Sequence, residues 1–293
     1  MAYPLRIGIR AHDFGKLPAD ELARRIAAKG LSSVQLALNK AIDGLDLKPG
    51  DLTPGLAHHV GSAFAANGLQ IAVLGCYINL SHPDPAAKAP LLAYFKNHLR
   101  YASAFGAAAG NIVGTETGSL NPDWSPHPGN PTEEAYKALV PVVAELVAEA
   151  EHCGAIFGIE GVASHVLNSP QRIRRLLDDI KSSALQVIFD PVNLLAWDNY
   201  TEQDTIIHES FNLFGDRIAI IHAKDFAPDP ATKKLLQLRT GAGKNGATES
   251  TGLNYPLLMK YLTQSKPGIA ILLEEASEPT AEECIRFIHA AAA

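Results

Sequence analysis

Cysteine is scarce in this chain: only Cys76, Cys153 and Cys284 occur in 293 residues. They lie too far apart for a C-x-x-C metal or redox motif and are too few for a disulfide framework, which points to a reducing compartment. An excess of positive charge is also missing. Twenty-five Lys and Arg stand against 31 Asp and Glu, a net charge of −6 with a pI near 6.0. No overall basic field is there to gather phosphates, so nucleic acid is not an expected partner. Long hydrophobic runs are absent too: no uninterrupted apolar stretch of about 18 residues occurs. The first residues, MAYPLRIGIRAHDF, lack the basic and apolar regions of a signal peptide. The expectation is a cytoplasmic protein with no membrane partner. What remains, 47% apolar and 19% charged residues, is the balance of an ordinary globular enzyme and excludes disorder, collagen and coiled coil.

Short aliphatic or β-branched runs recur along the chain, each followed by a stretch with helical periodicity. They are Leu5 to Arg10, Ser33 to Leu38, Gln70 to Cys76, Asn111 to Thr115, Ile156 to Glu160, Gln186 to Asp190, Ile218 to His222 and Ile269 to Glu274. Thr53-Pro54 and Ser169-Pro170 read as N-cap plus N1 proline, and Gly30, Gly68, Gly106, Gly154 and Gly215 sit where C-caps belong. Strands buried on both faces need crossovers, so this alternation implies a parallel sheet. Eight unbroken repeats predict an α/β protein of the (β/α)8 TIM barrel class, with residues 1–293 as one domain. Helix-to-strand turns are short, as in KGLSSV and NGLQIA, whereas Glu116 to Pro131 and Asp225 to Asn254 read as long strand-to-helix loops. A barrel carries its chemistry on those loops. An open doubly wound sheet would instead show a phosphate-binding glycine turn after its first strand, which Arg10-Ala11-His12-Asp13-Phe14 is not.

Several conspicuous features have bland explanations. Gly241, Gly243 and Gly246 satisfy G-x-G-x-x-G but follow no clear strand, and read as a polar loop rather than a dinucleotide site. His58 and His59 are adjacent within a helix and cannot share one ion. Glu282 and Glu283 read as the acidic first turn of a helix. Pro141 suggests a kink or a helix start.

The chemistry gathers at strand ends. FGIE ends at Glu160, VIFD at Asp190, AIIH at His222 and ILLEE at Glu274 and Glu275. One charged strand end is simply a strand reaching water, but four in succession, all of metal-ligand type, predict a site. Three carboxylates and an imidazole suit one divalent metal ion, Mn, Mg or Co, with Zn as a further option. A cation beside two glutamates suggests proton transfer next to a carbonyl, with Glu160 and Glu274 as the carriers. Side chains alternate along a strand, so with Leu272 inward Glu274 faces the barrel and Glu275 turns away.

The words GIEGVASHVLNSP, QVIFDPVNLL, IIHAKDF and ILLEEAS resemble the xylose-isomerase-like TIM barrels, the sugar phosphate isomerase/epimerase family of the AP endonuclease family 2 superfamily. The resemblance covers essentially the whole chain. It implies that Glu160, Asp190, His222 and Glu274 bind one divalent metal, and that the two glutamates act as acid and base on a small sugar or polyol through an ene-diolate. The family's Asp-x-x-His is here Asp190-Pro-Val-Asn193, which argues against the multi-zinc cluster of the endonuclease branch and leaves Asn193 to reach substrate through its amide. The arginine used by the epimerase branch after strand seven is replaced by Lys224, a candidate substrate cation, and Asp225. His165, Glu116, Gln35, Asn79 and His82 are further candidate substrate contacts; Trp124 is a candidate cover for the site or an oligomer contact. The expected activity is that of a sugar isomerase or epimerase. A lyase acting on a keto-inositol-type substrate and a non-catalytic sugar-binding barrel are the alternatives, and a homo-oligomer is left open.

Overall fold

Eight aliphatic segments, none of which can leave either face in water, pair in parallel and close on themselves. The computed structural model describes residues 3–106, 110–244 and 252–293. The barrel strands run β1 (Arg6–Arg10), β2 (Ser33–Leu36), β3 (Gln70–Gly75), β4 (Ile112–Glu116), β5 (Ile156–Glu160), β6 (Leu185–Phe189) and β7 (Ile218–Ala223). Two further strands, β8 (Asp225–Asp229) and β9 (Lys234–Leu238), form an antiparallel hairpin outside the barrel. Strand β10 (Ala270–Leu273) then closes the ring between β7 and β1. This is a (β/α)8 barrel. The hairpin corrects the reading of Asp225 to Asn254 as plain loop.

The helices are α1 (Ala19–Ala28), the short α2 (Leu38–Ala41), α3 (Pro54–Ala66), α4 (Pro85–Tyr101), α5 (Glu133–Cys153), α6 (Pro170–Ile180), α7 (Gln203–Phe214), α8 (Tyr255–Ser265) and α9 (Ala281–Ala292). Their starts are written in the sequence. The Thr53 hydroxyl accepts from Leu56 N at 3.3 Å and that of Ser169 from Arg172 N at 3.3 Å, each just before a proline that needs no hydrogen-bond partner. Gly30, Gly68, Gly106 and Gly154 take positive φ at their helix ends, but Gly215 does not. Its φ of −55° carries α7 on into a 3-10 turn. Helix α5 begins at Glu133 and continues through Pro141, so that proline marks no helix start. His58 and His59 are exposed on α3, and Glu282 and Glu283 fill the first turn of α9. Among the described residues no helix is long and apolar enough to cross a membrane.

The core has two layers. The larger lies between strands and helices; a smaller one fills the barrel with Val73, Ile112, Ile188, Ile220 and Leu272 among others. Glycine makes room for it. A Cβ on Gly114 would lie 2.5 Å from the Ile188 Cδ1 and 2.9 Å from Val73 Cγ1, so the bulky inner side chains depend on that bare backbone. This plug supports the strand ends from below.

Of the G-x-G-x-x-G triplet, Gly241 and Gly243 lie just past β9, and Gly246 falls outside the described residues. The Asp225 carboxylate accepts from Gly243 N at 3.1 Å and Leu253 N at 2.7 Å, which anchors the loop to the start of β8.

Candidate active site

Parallel register brings the strand ends together. Glu116 and Glu160 are register partners on β4 and β5, and His222 pairs with Leu272, two residues before Glu274. Glu160, Asp190, His222 and Glu274 are all buried, with 5% exposure at most. One ligand atom from each of Glu160, Asp190 and His222 falls within 4.8 Å of the others. Glu274 adds Oε1 at 3.3 Å from His222 Nδ1.

Each of these side chains is held from behind. After Asp190 the chain turns at Pro191, and Asp190 Oδ1 accepts from Val192 N at 2.9 Å and Asn193 N at 3.0 Å. That Asx turn fixes the carboxylate. Its Oδ2 points to Lys224 Nζ at 2.8 Å and to His222 Nδ1 at 3.8 Å. Glu160 Oε1 accepts from Asn193 Nδ2 at 2.6 Å, which leaves Oε2 3.4 Å from His222 Nδ1. Glu274 Oε2 accepts from Lys224 Nζ at 2.9 Å and stands 3.6 Å from Arg10 Nη1. Glu275, at a positive φ of 56°, turns outward to Arg10 Nη2 at 2.9 Å.

The imidazole decides what fits between them. His222 Nε2 donates to Gln35 Oε1 at 2.7 Å, and Gln35 Nε2 in turn donates to the Tyr77 hydroxyl at 2.5 Å. Nδ1 is buried without a hydrogen-bond partner and faces three carboxylates. A lone pair aimed at that much negative charge is unfavourable unless a cation lies between. The donor set therefore fits a divalent metal. In its absence the same field favours a proton: burial pulls His222 down, but Glu274 and Glu160 outweigh it and raise it to about 9.

Other groups respond in kind. Burial would raise Glu274, yet Lys224, His222 and Arg10 hold it well below the usual carboxylate range. Burial, then the neighbouring Glu160, push Glu116 up to about 8. Burial lowers His165 to about 4.

Above the buried cluster lies a cavity of about 410 Å³, with Glu160 and Glu274 in its wall. Lys224, Asn193 and Glu116 also line it, as does Trp124. His165 does not; it sits beneath Trp124, with ring centroids 5.7 Å apart, and 3.4 Å from Glu116. Gln35 lies behind His222 with both amide ends engaged, rather than facing the cavity as expected. Asn79 ties the carbonyls of Ser119 and Asn121, and His82 engages Asp84. Sequence reasoning missed Arg10, His12, Lys40, Tyr77, Val162 and Gln237, which complete the lining. Arg10 carried a signal: it ends β1 as the ligand types end their strands.

Residues 23–291 match the family described as the xylose isomerase-like TIM barrel. The chain belongs to that family. Among solved structures, it is similar to a xylose isomerase-like TIM barrel protein from Mycobacterium smegmatis in complex with magnesium, at 18% identity and a TM-score of 0.65 over 99% of this chain and 98% of that one. D-Psicose 3-epimerase from Clostridium cellulolyticum H10, solved with D-tagatose, gives 13% identity and 0.65 over 98% and 99%. The IOLI protein with a zinc atom gives 14% and 0.67 over 98% and 96%. At these identities the likeness shows the fold. Comparison with curated proteins finds no match.

Proposed function

We propose that this barrel is a divalent-metal-dependent isomerase or epimerase of a small keto-sugar, acting by proton transfer through an ene-diolate. The observation that carries the reading is the unpartnered His222 Nδ1 facing three carboxylates, two of which also line a cavity. Sugar epimerases among the structural neighbours support the class.

Glu160, Asp190, His222 and Glu274 would hold the ion, which when bound supplies positive charge to polarise a carbonyl. The oxygen-rich set suits Mn, Mg or Co, and accepts Zn. The residues themselves do the proton work. Glu274, kept ionised by Lys224 and Arg10, accepts a proton from the carbon beside the carbonyl. Glu160, oriented by Asn193, serves the other face. Lys224 and Lys40 bring cationic donors to the sugar oxygens, with Glu116 beside them.

The test screens small ketoses and inosones in deuterium oxide by NMR. Incorporation of deuterium into an isomer otherwise unchanged in mass is the expected result. Glu160→Gln or Glu274→Gln keeps the fold but lowers turnover by about 10²- to 10⁴-fold, the usual worth of general acid–base catalysis. Asp190→Ala and His222→Ala lose the metal by elemental analysis. Near-normal turnover in both Gln variants would sink the two-glutamate mechanism.

One observation favours a second reading. Glu116, which burial and then Glu160 push up to about 8, lines the cavity and is placed to give a proton to a departing hydroxyl. Loss of water in the same NMR screen would mark a lyase.

A further inference from the structure

A second cavity of about 430 Å³ adjoins the first, and the two share Val162, Asn193 and Gln237 as common wall. Each alone lies within the roughly 300–1,000 Å³ of a small-molecule site. The outer one is lined by Trp197, Leu195, Pro126, Ser164 and Leu235. Leu235 and Gln237 stand two apart on β9 and so face the same way. Leu236, between them, turns out to solvent with half its surface exposed. The hairpin therefore roofs the outer cavity with its inner face. The dividing wall also reaches the reacting groups: Gln237 Nε2 donates to Asn193 Oδ1 at 3.1 Å, and Asn193 Nδ2 donates to Glu160 at 2.6 Å.

The Trp197 indole for C–H groups, with the Gln237 amide oxygen, the Ser164 hydroxyl and the Lys233 and Lys234 ammonium groups for hydroxyls, together make the chemistry of a sugar-ring site. Because it adjoins the cavity lined by Glu160 and Glu274 and shares three lining residues with it, we propose that the outer cavity is a subsite for a second sugar ring, glycosidically joined to the ketose that reacts. The favoured substrate is then a keto-disaccharide rather than a free monosaccharide. This rests on the isomerase reading above for its chemistry, though not for its binding.

Four probes test it: D-fructose, D-fructose 6-phosphate, isomaltulose and maltulose, the last two being fructose with a glucosyl ring on O6 or O4. Deuterium exchange should proceed with a kcat/KM at least about tenfold higher for a disaccharide than for fructose, the scale of one good aromatic contact. Trp197→Ala should erase that gain and leave fructose unchanged. Leu235→Trp, which fills the space instead of emptying it, should do the same; circular dichroism checks both folds. Equal rates for fructose and both disaccharides overturn the subsite, as does a gain confined to fructose 6-phosphate, which would make it an anion site of Lys233 and Lys234. Equal losses on fructose and disaccharide in both variants also overturn it. If no probe exchanges deuterium, a fructosyl unit is not the ketose that reacts, and turnover does not report on the outer cavity. Saturation-transfer NMR then decides the subsite alone: glucosyl-ring protons saturated in the wild type and silent in Leu235→Trp support it, and silence in both rejects it.

Discussion

Gln35 and His222 are 187 positions apart, yet the glutamine settles which imidazole nitrogen faces the carboxylates. With Nε2–H committed to the amide oxygen, Nδ1 is left as the group that takes a proton or a metal. Gln35→Leu removes that acceptor while keeping a side chain of similar length. Metal affinity should fall by about 10- to 100-fold, as for other groups that orient a ligand, with the fold retained. Chelator competition measures it, and unchanged affinity would detach His222 from the metal. The sequence showed the residue type at the end of β2 but not its partner, because that pairing exists only once the barrel closes. Glu160, Asp190, His222 and Glu274 were legible as a set for the opposite reason: each follows an aliphatic run and changes abruptly to a ligand type. Arg10 shared only half of that signal: it ends its strand as they do, but an arginine matches no ligand pattern.

At the scale of elements, all eight barrel strands could be read because continuous aliphatic runs bounded by turn residues have few alternatives. The hairpin could not. DFAPD carries a proline and two carboxylates, and KLLQL is exposed along much of its length, so neither segment alternates cleanly. Helix α3 hides a second constraint. Gly61 reads as a weak point in a helix, since replacing glycine by alanine typically gains about 1 kcal/mol of propensity. A Cβ there would lie 1.9 Å from the carbonyl oxygen of Phe105, in the 3-10 turn Ala102–Phe105. Backbone cannot yield as a flexible side chain can. Gly61→Ala should therefore destabilise by about 1–3 kcal/mol, the usual range for overpacking. Urea unfolding reads the difference, and a gain in stability would show that α3 can shift away from the turn.

Across the whole molecule, the buried charges would tie the proposed metal binding to protons. His222 is raised from an ordinary 6.5 to about 9, so its protonated form contributes stability in full below about 6.5, and the contribution is lost as pH rises through about 9. Glu116, raised from 4.5 to about 8, acts in the same direction: the folded state favours its neutral form, and that advantage disappears as pH rises through 8. Glu274 runs the other way, with its contribution lost only as pH falls below the ordinary carboxylate range. The metal-free protein should thus lose stability steadily between about pH 6.5 and 9, seen as a falling urea midpoint. A metal ion must displace the proton on Nδ1 to reach the imidazole. Calorimetric titration with Mn²⁺ at pH 7, repeated in buffers of different ionisation enthalpy, should then report release of about one proton per ion bound. The release should fade above pH 9, where that proton has already gone. Metal binding at pH 7 with no proton released would mean that His222 is neutral in the free protein, and that the three carboxylates around it are balanced by Lys224 and Arg10 alone.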